Sequence, residues 1–309
     1  MSPLIAAWLI AAPASAADGL AWEWASPRRY LLDLDLLVPR PLTLQAENNY
    51  EVRVPILSVQ VDTECAAVDP RKSGFDLKCT LTDLSLAAMP LERDAEHHVV
   101  EILDDVESRM KNAYMQISLA ADGRIRALDL EGMETKNIND RVRTSQEVMR
   151  LVLARAFSAF DLLLPKNGSV AVGTAWKQTG SEISGFPSMA GSSGFVELDH
   201  QVARANGTVV TVTTKGGGVA GPSDVVNVGG TERIANQYDL VVSGWTNFDL
   251  AEHAITGRQI EVSGPPTASS VDSGAGSGNP YVQRVKLTRI KPGDPAPQLG
   301  PNEEMAQPD

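Results

Sequence analysis

The residues able to do chemistry are few and mostly far apart. Cys65 and Cys79, at the shoulders of "TECAAVDPRKSGFDLKCTL", are the only cysteines in 309 residues. Thirteen residues separate them, far from the spacing of a C-x-x-C redox pair. A zinc site would need further ligands, and the four histidines are poorly placed to supply them. The flanks "LSVQVDTEC" and "DLKCTLTDL" alternate apolar and polar residues around "DPRKSG", the pattern of a β-hairpin. The expectation is a disulfide, Cys65 to Cys79, pinning that hairpin, with Val61 opposite Asp83 in the same register. Such a bond implies an oxidising compartment.

The histidines and carboxylates offer less. His97 and His98 are adjacent in a helical stretch, so their side chains should diverge by about 100°. His97 and Glu101 are four apart and share a helix face, as do His98 and Asp105 two turns apart. With Glu92, Asp94, Glu96, Asp104 and Glu107 around them, the bland reading is a solvated helix face. The alternative is a zinc site from His97, Glu101 and a third ligand, serving a hydrolase of unrecognised type. Asp33 and Asp35 share one strand face about 6.5–7 Å apart, a separation suited to glycosidic chemistry. Their alternation with leucines makes them instead the solvent face of a half-buried strand. His200 lies in a strand between Asp199 and Gln201, and His253 in a turn. The chain contains no G-x-S-x-G, H-E-x-x-H, calcium loop or P-loop. "KGGGVAGP" and "GGTERIAN" lack the strand-then-helix setting that holds phosphate. No catalytic, cofactor-binding or metal-ligating residue is assigned and no cofactor is implied, so the protein reads as a non-enzyme.

The elements that position these residues are mostly strands. Period-two alternation runs through Trp22–Pro90, with Pro55 marking a bulge or edge and a phase shift after Thr82 marking another bulge. Glu92–Met110 changes to helical spacing, with Val99, Ile102, Leu103, Val106 and Met110 on one face. "AYMQISLAADGRIRALDLEG" is a hairpin turning at Asp122-Gly123. Asn139–Phe160 is a second helix, with Ile138, Val142, Met149, Val152, Ala156 and Phe160 along its apolar side and Asn139 or Asp140 as its cap. "LLLPKNGSVAVGTAWKQTG" returns to extended chain. Further strands follow, with a hairpin at Asn206-Gly207, a glycine-rich loop over Lys215–Gly230 and a flexible "PPTASSVDSGAGSGNP". Trp22, Trp24, Trp176 and Trp245 are spread singly and read as core or sheet-edge anchors. Residues 117–132 and 248–264 echo each other as strand, glycine turn, arginine and strand, the echo any two hairpins share.

The fold class expected is α+β and mostly β: a curved antiparallel sheet, with two helices packed on it, over residues 18–290. Two related β-rich halves, 18–180 and 181–290, are an alternative division. Residues 291–309 are proline-rich and acidic, the composition of a disordered tail. "MSPLIAAWLIAAPASAADGL" carries a short apolar run and then Ala14-Ser15-Ala16, the pattern of a signal peptide spanning 1–17 and cleaved near Ala16 or Ala17. The expected localisation is periplasmic or secreted. Net charge is −12, which repels nucleic acid and anionic headgroups. No later segment reads as a transmembrane span.

"ISLAADGRIRALDLEG", the helix into "FDLLLPKNGSVAVGTAWKQTG", and "NFDLAEHAITGRQIEVSG" resemble, in that order, segments of uncharacterised exported bacterial β-rich proteins. The architecture is similar to the half-open barrel of periplasmic lipoprotein carriers, where a curved sheet holds helices in its concave face. The resemblance implies binding of an apolar small molecule or an envelope protein as partner, and it supplies no catalytic residues. A structural or interaction module of the cell envelope is the competing expectation.

Overall fold

The structure, a computed structural model, describes residues 19–45, 51–71, 74–134, 140–166, 168, 170–180, 192–222, 225–228, 231–234, 238–264 and 280–299. The segments read as a signal peptide and as a flexible 265–280 connection lie wholly or almost wholly outside the described residues. So does the greater part of the proline-rich tail.

Along the chain, β1 (Arg28–Gln45), β2 (Glu51–Arg71) and β3 (Gly74–Met89) are followed by α1 (Glu96–Arg109). The hairpin β4 (Tyr114–Ala120) and β5 (Ile125–Glu131) precedes α2 (Asp140–Phe157). Then come β6 (Ala175–Gly180), β7 (Ser192–Asn206), β8 (Val209–Pro222), the small ribbon β9 (Val225–Val228) and β10 (Thr231–Ile234), β11 (Tyr238–Asp249), β12 (Ala254–Gly264) and β13 (Tyr281–Ile290). Eleven strands form one open antiparallel sheet in the order β5-β4-β3-β2-β1-β13-β12-β11-β8-β7-β6. The chain therefore builds outward from β1 to one edge and crosses by α2. It restarts at the opposite edge and works back until β13 seats beside β1. β6 falls within 18–180 by number yet lies in the second wing, beside β7.

Period two sorts each strand into an inner face, carrying the helices, and an outer face. In β1 the inner Tyr30, Leu32, Leu34 and Leu36 are fully buried. α1 buries Val99, Ile102, Leu103 and Val106, at helical spacing, and packs chiefly on β3. α2 buries Met149, Val152, Leu153, Ala156 and Phe157 and packs on β1, β2, β5 and β13. Its neighbour Phe160 sits edge-on to Tyr30, ring centroids 5.1 Å apart. Two of the four tryptophans spread singly in sequence converge here: Trp22 meets Trp24 at 6.0 Å and Phe248 of β11 at 5.6 Å. Trp24 reaches Phe160 at 6.3 Å and donates Nε1–H to the Cys65 carbonyl at 3.2 Å.

Cys65 and Cys79 are joined by a disulfide and lie directly opposite one another on the inner face of β2 and β3. The register beyond them differs from the sequence expectation. Val61 faces Leu84 and Asp62 faces Asp83, because Thr82 is an extra residue with no partner on β2. The bulge expected at Thr82 is the physical reason: one extra residue offsets all pairing beyond it. Pro55 marks a second offset, where β1 and β2 shift register between Leu37 and Leu42. That is where a residue without an N–H does least harm.

Two expectations are corrected. Lys215–Pro222 is not a loop; it continues β8, paired to β7 on one side and β11 on the other. A Cβ at Gly216 would stand 2.0 Å from the Glu197 carbonyl oxygen, so glycine there permits close strand approach rather than a turn. The strands also start later than Trp22. Residues 19–27 are irregular, and Leu20, Trp22 and Trp24 serve as core plugs.

Candidate binding site on the inner face of the sheet

Three cross-strand rows define the inner face. The first runs Leu198, Gly216, Val242, Val262, Gln283, Leu36, Leu57 and Ala88. The second runs Trp176, His200, Thr214, Gly244, Ile260, Val285, Leu34, Val59 and Leu86. The third runs Val202, Val212, Thr246, Arg258, Leu287, Leu32, Val61 and Leu84. Beyond the first row, toward the chain's other rim, Val196 faces Gly218 and Gly218 faces Leu240, while Gly264 faces Tyr281. From β7 to β13 this end of the face is a strip of Val and Leu walls over Gly216, Gly218 and Gly264. Gly216 and Gly218 stay partly accessible while Leu198, Val242 and Val262 are buried. Four strand spacings give it a length of about 19 Å.

A polar cluster borders the strip. His200 is 1% exposed and lies between the Thr214 hydroxyl, 3.0 Å from Nδ1, and the Gln178 Oε1, 3.2 Å from Nε2. Because Oε1 only accepts, Nε2 carries the proton and Thr214 donates to Nδ1. Burial, and then the charge of Arg258, push His200 down to about 4, so it is a neutral polar post. Trp176 stacks on its ring at 5.4 Å. Arg258 crosses to the turn after α2, where Nη1 donates to the carbonyls of Ala159 and Asp161. Asp161 accepts the Ile125 N–H at 2.9 Å. Burial pushes its carboxyl up to about 6, against the opposing pull of that N–H and of Arg258. Burial likewise pushes Arg258 down to about 10.

The residues singled out from sequence fall elsewhere. His98, not His97, lies against Glu101, Nδ1 to Oε2 3.8 Å. The two imidazoles lie side by side, centroids 3.7 Å apart, rather than diverging. Asp105 takes Arg109, one helix turn on, at 2.8 Å. Among the described residues no three His, Cys, Asp or Glu side chains converge as metal ligands do. Asp33 and Asp35 do point away from the leucines, yet they are not solvated: they are 9% and 6% exposed. Gln60 donates to Asp33 at 2.9 Å and Ser58 to Asp35 at 2.7 Å. Burial raises the Asp33 carboxyl. The reason lies in the sheet's middle position, where both flanking strands lay side chains over the pair. A pocket of about 320 Å³ between β3 and α1 is lined by Thr82, Asp83, Asp104, Glu107 and Lys111. Glu107 accepts the Leu86 N–H there at 2.6 Å.

Sequence reading missed Arg155, Asp161, Gln178, Arg258, Tyr281 and Gln283. The one available sign was polar residues at inner positions of otherwise apolar alternation, as in "YVQRVKL".

The chain matches no known protein family and no curated protein by sequence. A solved structure described as lipid–protein interactions in lipovitellin is similar to it at 12% identity and a TM-score of 0.42, over 90% of this chain and 26% of that one. So distant a likeness assigns no function. Among the described residues no helix is long and apolar enough to cross a membrane.

Proposed function

We propose that this is an exported, non-enzymatic binding protein that holds an apolar ligand on the inner face of its second wing. One observation carries the reading: beyond the His200 row, the inner face of β7, β8, β11 and β12 is lined by Val196, Leu198, Leu240, Val242 and Val262, with Gly216 and Gly218 in place of side chains. The two helices pack mainly on the other wing and on β13. Apolar walls with a few fixed polar groups at the border are the usual make-up of a small-molecule site. The polar groups nearby are engaged in holding the fold, His200 between Thr214 and Gln178 and Asp161 on Ile125, which favours binding over catalysis. The disulfide accords with export.

Native mass spectrometry of the gently purified chain, before and after solvent extraction, tests this. The expected result is an apolar adduct that extraction removes, and uptake by the extracted protein of the methyl ester of a fluorescent polyene fatty acid. Leu198→Trp, filling the strip, should lower that uptake with the circular dichroism spectrum unchanged. Absence of both adduct and uptake overturns the reading.

A second reading is an envelope interaction module, and the outer face of β11 favours it. Val241 is 58% and Trp245 36% exposed there. Trp245 borders a shallow groove with Lys215, Ser243, Gln259 and Glu261. Loss of a pulled-down envelope partner on Trp245→Ser would support it.

A further inference from the structure

Arg155 sits on the sheet-facing side of α2, 3% exposed, and its Nη1 has no hydrogen-bond partner among the described residues. Two other buried arginines do find carbonyl acceptors, although the Arg258 Nε has no partner among the described residues. Arg28 donates to the carbonyls of Glu23 and Glu252, and Arg258 to those of Ala159 and Asp161. A buried guanidinium nitrogen without an acceptor is costly, and folds keep such groups where function uses them. Its surroundings point the same way. α2 packs against β13, and the β13 residue that bears on the charge of Arg155 is Tyr281. The Tyr281 hydroxyl donates to Gln283 Oε1 at 2.6 Å. Across from Tyr281 stands Gly264, and across from Gln283 stands Val262. The glycine-floored strip therefore ends at Tyr281 and Gln283, on the strand against which α2 packs.

We propose that Arg155 is the anchor for the carboxylate of a long-chain acid whose apolar chain lies along the strip toward β7. This rests on the function proposed above and specifies its ligand class. Charge selects the headgroup: one guanidinium balances one carboxylate and can bond it bidentately, whereas a phosphate monoester brings a second negative charge with no further cation assigned to it here.

The test is fluorescence titration of the purified, solvent-extracted full chain with a polyene fatty acid and, separately, with its methyl ester. Wild type should bind the acid at least about tenfold more tightly than the ester. Arg155→Met should bring the acid down to the level of the ester while ester binding stays as in wild type, and Arg155→Lys should retain part of the preference. Equal binding of acid and ester by wild type overturns the anchor and leaves the apolar-ligand reading standing. That comparison needs no variant to fold. A preference for the acid that survives in Arg155→Met also overturns it. Binding of neither probe overturns both.

Discussion

The same three rows cross both wings of the sheet, and the two wings fill them differently. Over β1 and β2 the inner positions are Leu36, Leu57, Leu34, Val59, Leu32 and Val61, all at 0 or 1% exposure. Over β8 and β11 they are Gly216, Val242, Thr214, Gly244, Val212 and Thr246. One wing is a packed floor under helices, with a disulfide beside it. The other has smaller and more polar inner residues, and its backbones come close enough that a Cβ at Gly244 would stand 2.3 Å from the Gln259 carbonyl oxygen. The first wing is filled by leucine and valine, the second by valine, threonine and glycine. The difference is in side-chain volume, since pairing is continuous across both.

Hollowing out the first wing should have the largest effect. Phe160→Ala removes the ring shared by Tyr30, Trp24 and Phe157 and should cost about 3–5 kcal/mol, read by urea denaturation. Val212→Ala in the second wing should cost clearly less, and equal costs would erase the distinction. Replacing both cysteines by alanine should cost about 3 kcal/mol for a closed loop of this length, with binding of the ester probe preserved because the bond lies in the other wing.

The pH dependence separates the wings' polar posts. Asp161, ordinarily 3.8 and here about 6, keeps its proton longer in the folded state, so its contribution to stability falls as pH rises from about 4 to 6. His200, ordinarily 6.5 and here about 4, contributes fully above 6.5 and loses that contribution as pH falls toward 4. The slopes oppose, and the contributions of these two groups nearly cancel between pH 4 and 6. His200→Phe should expose the slope of Asp161, a gain of about 3 kcal/mol on going from pH 6 to 4. Asp161→Asn should expose the opposite one, and thermal denaturation across that range reads both. Smallest of all, Trp245→Ser on the outer face should shift stability by no more than about 0.5 kcal/mol.

Much of the architecture was legible because period is local. Leu32, Leu34 and Leu36 announce a strand from five residues, and Val99, Ile102, Leu103 and Val106 a helix from eight. Both bulges were legible from Pro55 and from the phase change at Thr82. Lys215–Pro222 was misread because glycine composition signals turns, while its strand character comes from β7 and β11 on either side. The site was legible only as polar residues interrupting an apolar alternation, as at Gln283. Arg155 and Tyr281 are more than a hundred residues apart and meet because the chain closes β13 onto β1 after circling the far edge. Asp161 and Arg258 meet for the same reason.

The unpaired Thr82 has a consequence of its own. Along β3 the inner side chains are odd-numbered through Leu77, Cys79 and Leu81, and even-numbered through Leu84, Leu86 and Ala88. Thr82 thus acts as a shift of reading frame in three dimensions. Deleting it would leave Leu84, Leu86 and Ala88 facing inward in unbroken alternation, whereas drawing Thr82 into the ladder without the bulge would turn them outward and put Asp83 and Ser85 on the inner face. Counting, as much as chemistry, decides which side of this strand is oil and which is water.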